Sequence, residues 1–246
     1  GEADYLPKYH REEPLFLHCG FVLPPREFLD SAGKINPNYV RPPEPLPDTP
    51  ETRKDMADYI LSMQATDEAV GRVLDAVRES AIAEKTLVIW TVDHGPAFPW
   101  MKCQLHDAGM GVALILDFPG NPARGQAIDA LTSNIDVFPT LCEIADLPNP
   151  GWLQGVSLKP LLDGTAESVR SELFGEVTYH AAYEPQRCIR TERHKLIRIF
   201  DSDLRTVPAN CDNGYSKDAV FDRAGWAARN REPVQLYDLW LDPNER

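Results

Sequence analysis

Three places in the 246-residue chain group side chains that can do chemistry together. The first is Asp93-His94-Gly95, directly after the apolar, β-branched run Thr86-Leu-Val-Ile-Trp-Thr-Val92. A carboxylate is a hard oxygen donor and an imidazole a borderline nitrogen donor, so the pair suits a divalent cation. Taken alone, the dipeptide is explained more simply by a loop-capping aspartate beside a surface histidine. The second is Lys102, in Lys-Cys-Gln-Leu-His-Asp-Ala-Gly109. A lysine in a loop can neutralise an oxyanion or protonate a leaving oxygen; a solvated surface lysine is the alternative. The third is Glu176-Val-Thr-Tyr-His180, followed by Tyr183, Arg187 and Arg190. Strand alternation puts Glu176, Thr178 and His180 on one face, and arginine suits two-pronged binding of sulfate, phosphate or carboxylate. An exposed strand face with ordinary ion pairs fits the same residues. No G-x-S-x-G elbow, phosphate loop, H-E-x-x-H or G-x-G-x-x-G stands beside them.

These groups need elements to hold them. In open α/β sheets ligands bind beyond the carboxyl ends of the strands. The run 86–92 is expected to be a central parallel strand and Val112-Ala-Leu-Ile-Leu116 a second, closed by Pro119-Gly120. That places Asp93 and Lys102 at one rim of one sheet. A helix is predicted from Thr52 to about Arg78, because Met56, Tyr59, Ile60, Met63, Val70, Val73, Leu74 and Val77 recur at three- and four-residue steps. Another is predicted from about Ile135 to Ala145, stopped by Pro148 and Pro150. Leu15-Phe-Leu-His-Cys-Gly-Phe21 reads as a short buried strand, and the proline-dense residues 22–50 as an ordered surface loop. After Gly164 the texture turns to short strands at Glu172–Tyr179, Arg187–Arg190 and Lys195–Phe200. The division expected is a catalytic α/β part over 1–167 and a smaller α+β module over 168–246.

Composition narrows the class. Hydrophobic residues at 43% and charged ones at 26% are those of an ordinary globular chain. No apolar run approaches the roughly 18 residues of a membrane span. A net charge of −13 argues against general nucleic-acid binding, while a local basic pocket can still take an anionic small molecule. The five cysteines form no C-x-x-C pair, so neither a zinc site nor a disulfide framework is read from them. The opening residues show no signal peptide, and both ends read as cut from something longer. Compartment and oligomeric state stay open.

Taken in order, the motifs resemble the sulfatases over nearly the whole chain. They are Gly71-Arg-Val-Leu-Asp75, Thr86 to Gly95, Lys102-x-x-Leu-x-Asp-x-Gly109, Val112-Ala-Leu-Ile-Leu116 with Pro119-Gly120, Ser133-Asn-Ile-Asp-Val-Phe-Pro-Thr-Leu141, Leu153-Gln-Gly-Val-Ser-Leu158 and Leu236-Tyr-Asp-Leu-x-x-Asp-Pro-Asn-Glu245. Asp-His-Gly-x-x-Phe-Pro and Glu-Val-Thr-Tyr-His are most similar to the sulfamidase-like branch. The resemblance implies an alkaline-phosphatase-like α/β/α sandwich, present in part, with a small C-terminal domain built on an antiparallel sheet. It implies a divalent cation, usually Ca2+ with Mn2+ or Mg2+ as alternatives, and a formylglycine nucleophile made from Cys or Ser. By position it makes Asp93 and His94 metal ligands, Lys102 the basic residue contacting the sulfate group and His180 a substrate-pocket histidine. Lys102 and His180 are thus the catalytic candidates, either one a proton source for the leaving oxygen or nitrogen, and Arg187, from its own chemistry, joins them in binding substrate. The substrate implied is an anionic sulfated small molecule or glycan.

Departures from the family pattern are equally specific. No Cys/Ser-x-Pro-x-Arg nucleophile motif occurs, and Phe21 runs into Val22-Leu-Pro-Pro without the expected Pro-His. Trp100 stands where relatives of this branch carry a basic residue. The expectation is therefore a sulfatase piece that is inactive by itself, with a phosphatase or phosphodiesterase of the same superfamily, or a degenerate binding module, as the competing readings.

Overall fold

A computed structural model describes residues 5–9, 13–22 and 26–246. The chain forms two compact units whose segments alternate along the sequence. The first comprises 1–86, 96–102 and 205–229; the second 87–95, 103–204 and 230–246. The boundary expected near 165–170 falls inside the second unit.

In the first unit, helix α1 runs over Pro50–Arg78. Its start is fixed by a capping box: the Thr49 hydroxyl accepts from Thr52 N, and Thr52 Oγ1 accepts from Thr49 N at 3.0 Å. Pro50 at the first helical position has no N–H to leave unpaired. The predicted apolar face, from Met56 to Val77, is only half-buried throughout. The most buried positions are instead Thr52, Asp55, Ala57, Asp58, Ser62, Thr66 and Ala76. Each of the two carboxylates there has donors from distant sequence. Asp55 takes both prongs of Arg26 at 2.7 and 2.6 Å and the amide of Ser216 at 3.0 Å. Asp58 accepts from Ser31 N at 2.8 Å and from Lys54. Rings of Phe28, Tyr59 and Phe98 pack mutually at 5.3–5.7 Å. Within the loop 22–50, the described residues hold one short 3-10 turn, Pro37–Tyr39.

The expectation of a buried strand at 15–21 is not met. Those residues pair with no strand among the described residues, and Phe16 is 83% exposed. An apolar run becomes a strand only where a neighbour accepts its backbone hydrogen bonds, and none is at hand here.

The second unit holds two sheets. Strands β1 (Val88–Thr91) and β2 (Leu114–Asp117) form a two-stranded pair. Their pairing is antiparallel, Val88 opposite Asp117 and Thr91 opposite Leu114, which corrects the parallel arrangement expected. Hydrophobic, β-branched runs look alike in either orientation, so the pattern alone could not decide it. Between them lies the one-turn helix α2 (Asp107–Met110). Helices α3 (Val137–Ile144) and α4 (Lys159–Leu162) follow, α3 entered through a 3-10 turn at Asn134–Asp136. The larger sheet is wholly antiparallel in the order β3-β4-β5-β6: Glu172–Tyr179, Tyr183–Thr191, His194–Ile199 and Val234–Asp238. Strand β6 completes the antiparallel sheet expected behind residue 168. Along β5 exposed and buried residues alternate strictly, and Ile197 and Cys188 enter a core with Leu105, Met110, Val177 and Tyr237. Full burial of Ile197 contributes about 2–3 kcal/mol. None of the described helices is long and apolar enough to cross a membrane.

Candidate functional site

Asp93 and His94 leave the carboxyl end of β1, in the second unit. Asn134 braces that end: its amide donates to Val92 O at 3.0 Å, and its Oδ1 accepts from the Thr91 hydroxyl at 3.1 Å. The same 3-10 turn is held from beneath by Asp136, fully buried, which accepts from Ser133 N at 2.8 Å, Val156 N at 2.9 Å and Arg170. The Ser133-Asn-Ile-Asp motif is therefore a brace for the strand end that carries the carboxylate. Sequence reading gave it no such role; its serine–aspartate capping box was the available signal.

His94 Nδ1 lies 2.7 Å from the carbonyl of its neighbour Gly95. A carbonyl only accepts, so Nδ1 carries a proton, which leaves Nε2 as the ring nitrogen that could meet a ligand. That nitrogen is 3.5 Å from Asp93 Oδ2. The Asp93 side chain is 86% exposed, so the pair is open to solvent, and an imidazole bonded through Nδ1 to a carbonyl is the form in which Nε2 could take a metal. Among the described residues no cluster of three or more His, Cys, Asp or Glu forms a cation site. Asp93 and His94 fit as two ligands of a larger set.

Gly95 sets where this turn can lie. Its amide donates to Gly109 O at 2.9 Å, and a β-carbon at position 95 would stand 1.9 Å from the carbonyl oxygen of Ala108. The turn is thus pressed onto α2, and α2 is anchored in turn by buried charge. Lys195, with no exposed surface, donates to Leu105 O at 3.1 Å and pairs with Asp107 Oδ1 and, at 2.9 Å, with Glu245 Oε1. Glu245 also accepts from the Asp107 amide, and Arg190 grips the Asp107 carboxylate at 3.0 Å. Burial raises the Asp107 carboxyl, but the bonds from Arg190 and Lys195 outweigh it and hold the group below its ordinary value. Burial pushes Glu245 up, against the pull of Lys195. Beside them, burial together with Lys195 and Arg231 pushes the His106 imidazole down to about 4.

Lys102 belongs to the first unit, where its Nζ pairs with Asp212 at 2.8 Å. It sits in a turn closed by Lys102 N donating to Pro96 O at 3.1 Å. Two residues before it, Trp100 packs edge-on against Trp226 at 4.7 Å between ring centres. His180 lies in the exposed turn of the β3–β4 hairpin, its amide donating to Ala182 O at 3.3 Å. Arg187 belongs to the same hairpin. Its guanidinium pairs with Glu176 at 3.0 Å and donates to Val177 O at 3.0 Å, Gln186 O at 2.7 Å and the Thr178 hydroxyl at 3.1 Å. The structure therefore joins Asp93 to His94 and Arg187 to the hairpin of His180, and gives Lys102 a partner of its own.

Two family models match the chain, one described as sulfatase over residues 23–147 and one as N-sulphoglucosamine sulphohydrolase, C-terminal, over residues 97–221. The human N-sulphoglucosamine sulphohydrolase is 28% identical over 85% of this chain and 48% of its own length. The chain thus spans about half the length of that curated relative. A crystal structure of a putative sulfatase from Bacteroides thetaiotaomicron aligns with a TM-score of 0.60 at 20% identity, over 99% of this chain and 50% of that one. A protein solved with its substrate D-glucosamine-2-N,6-O-disulfate aligns with a TM-score of 0.60 at 22% identity, over 78% and 35%.

Proposed function

Since this chain belongs to the sulfatase family and carries part of the alkaline-phosphatase-like fold of its solved neighbours, we propose that it supplies the cation-side and substrate-side residues of a hydrolase of sulfate esters or sulfamates. The observation that carries this reading is the Asp93–His94 pair, whose exposed carboxylate oxygen and imidazole Nε2 stand 3.5 Å apart at a strand end, with Nδ1 bonded to the Gly95 carbonyl. Asp93 Oδ2 and His94 Nε2 would hold a divalent cation, Ca2+ in this reading, together with ligands from outside these residues. Once bound, that ion offers positive charge to the sulfuryl oxygens.

The remaining steps belong to the chain's own groups. Lys102 is kept in place by Asp212 and turns its ammonium to a sulfuryl oxygen as negative charge gathers there. His180, unencumbered at the hairpin turn, passes a proton to the leaving oxygen or nitrogen. Arg187, whose three guanidinium nitrogens are all engaged within the hairpin, stiffens it and sets positive charge on a side chain that is 42% exposed, where an anionic substituent can meet it. The nucleophile, a formylglycine, lies outside the 246 residues, which by themselves turn over nothing. The substrate class is a sulfated small molecule or glycan.

The test is hydrolysis by a polypeptide joining these residues to a Cys/Ser-x-Pro-x-Arg segment, assayed with a sulfamate, a sugar sulfate and a phosphate monoester. Sulfate release that falls at least about 100-fold in Lys102→Ala and Asp93→Asn supports the reading. Preference for the phosphate ester, or sulfate release by the 246 residues alone, overturns it.

A further inference from the structure

Lys102 ends a loop whose shape its own residues do not favour. Within 96–102 the amides of Phe98 and Lys102 both donate to Pro96 O, at 2.8 and 3.1 Å, and Met101 N donates to Phe98 O at 3.1 Å. Trp100 stands in this turn at φ +63, a left-handed backbone that a bulky side chain adopts only at a cost. Packing from elsewhere in the first unit overrides that cost. The Trp100 ring meets Trp226 at 4.7 Å and Phe221 at 5.9 Å between ring centres, and Phe98 and Met101 are buried.

Arg26 adds a hold that reaches both sides of the Lys102–Asp212 pair. Its Nε donates to Ala97 O at 2.9 Å, while Nη1 and Nη2 engage the two oxygens of Asp55. Its guanidinium also lies over the Phe98 ring at 5.2 Å and the Phe28 ring at 4.3 Å. On the other side, Asp55 Oδ2 accepts from Ser216 N at 3.0 Å. Gly214 lies so close that a β-carbon there would stand 1.9 Å from Arg26 Nη1. One planar cation thus ties the loop before Lys102 to the segment after Asp212. All three of its nitrogens are bonded and its side chain is only 9% exposed, so it is not placed to bind a substrate itself.

We infer that Arg26 is a positioning residue for Lys102: its fork fixes the loop and the Asp212 segment together, so that the ammonium is already aimed when negative charge develops before it. The inference rests on the reading that Lys102 meets a sulfuryl oxygen. A donor held in place beforehand needs no reorganisation at the moment of reaction, and a small displacement of such a group loses rate steeply. Lysine at position 26 would keep a cation for Asp55. A single ammonium lacks the planar fork that reaches Asp55 and Ala97 O together, so this change separates aim from charge.

The test compares Arg26→Lys with Arg53→Lys, which removes a fork of the same kind, made to Asp48 in the same unit, without touching 96–102. In the 246-residue chain, exchange of the Lys102 ammonium protons with water, read by side-chain NMR, should speed up about tenfold in Arg26→Lys. Arg53→Lys should keep the parent rate, and urea midpoints read alongside report any general loss of stability. Gly214→Ala presses a methyl group onto the guanidinium and leaves its charge; it should act in the same direction, and serves should Arg26→Lys not fold. In the polypeptide that carries the Cys/Ser-x-Pro-x-Arg segment, Arg26→Lys should lower kcat about tenfold with KM little changed, and should cost nothing further on top of Lys102→Ala. Unchanged ammonium exchange, equal acceleration in Arg53→Lys, or losses that add to those of Lys102→Ala would overturn the inference while Lys102 keeps its role. Full turnover in Lys102→Ala would remove the reading beneath it as well.

Discussion

Acidification should loosen the second unit through His106. Burial with Lys195 and Arg231 nearby holds its imidazole at about 4, against 6.5 in an unfolded chain. Because the folded value is the lower one, the unfolded state binds the extra proton first. The stabilisation is complete above pH 6.5 and is lost as pH falls toward 4. Integrating the difference gives a loss of about 2 kcal/mol at pH 5 and about 3 kcal/mol at pH 4. Two neighbours titrate in the same region. Glu245, raised by burial, takes up its proton more readily when folded and so opposes the loss. Asp107, held down by Arg190 and Lys195, adds to the loss once pH falls below the ordinary carboxylate range. A variant at position 106 isolates the histidine's share. Its ring meets Tyr237 edge-on at 5.9 Å, and its Nδ1 is buried without a hydrogen-bond partner among the described residues. His106→Phe should keep the ring contact and remove the titration. Urea unfolding followed by tryptophan fluorescence at pH 7 and pH 5 should show a drop about 2 kcal/mol larger in the parent than in the variant. An undiminished drop in His106→Phe, or an imidazole titrating near 6.5 by NMR, would refute the reasoning.

Three further outcomes follow from the supports of the Asp93–His94 turn. Lys195→Met leaves the buried Glu245 carboxylate without its cation and the half-buried Asp107 with Arg190 alone, and should cost about 3–5 kcal/mol in thermal unfolding; Glu245→Gln, which keeps an acceptor for the Asp107 amide, should cost less. Gly95→Ala drives a methyl group into the Ala108 carbonyl and should cost about 3 kcal/mol, whereas Gly120→Ala, at φ +78 with open space around it, should cost only about 1 kcal/mol, as urea midpoints will report. Asn134→Ala removes the brace from β1 and should cost about 1–2 kcal/mol, with faster amide exchange at Val92 and Asp93.

Much of the architecture was legible because it rests on local patterning. The three- and four-residue apolar steps from Met56 to Val77 announce α1, and the apolar, β-branched content of Lys195-Leu-Ile-Arg-Ile-Phe200 announces β5, although its alternation of burial, with Lys195 inside and Leu196 outside, is visible only in the fold. Other features depend on partners far away in sequence. The Val88–Thr91 run carries no mark of orientation, so its antiparallel pairing with β2 could not be read from it. The polar stripe of α1 is buried because Arg26, Ser31 and Ser216 happen to meet Asp55 and Asp58, a fact no helical period encodes. For the site, Asp93-His94 could be proposed from donor chemistry, but the hydrogen bond that fixes the imidazole tautomer could not. Lys195 reads as an ordinary strand lysine, and only the fold reveals it as a buried cation holding α2.

A paramagnetic titration tests most directly that Asp93 and His94 are two arms of a cation site. Mn2+ added to the isotope-labelled 246-residue chain should broaden the His94 ring and the amides of residues 93–95 before those near other exposed carboxylates, and Asp93→Asn should abolish that selectivity. Broadening spread evenly over the acidic surface, or a pattern at His94 unchanged by Asp93→Asn, would contradict it.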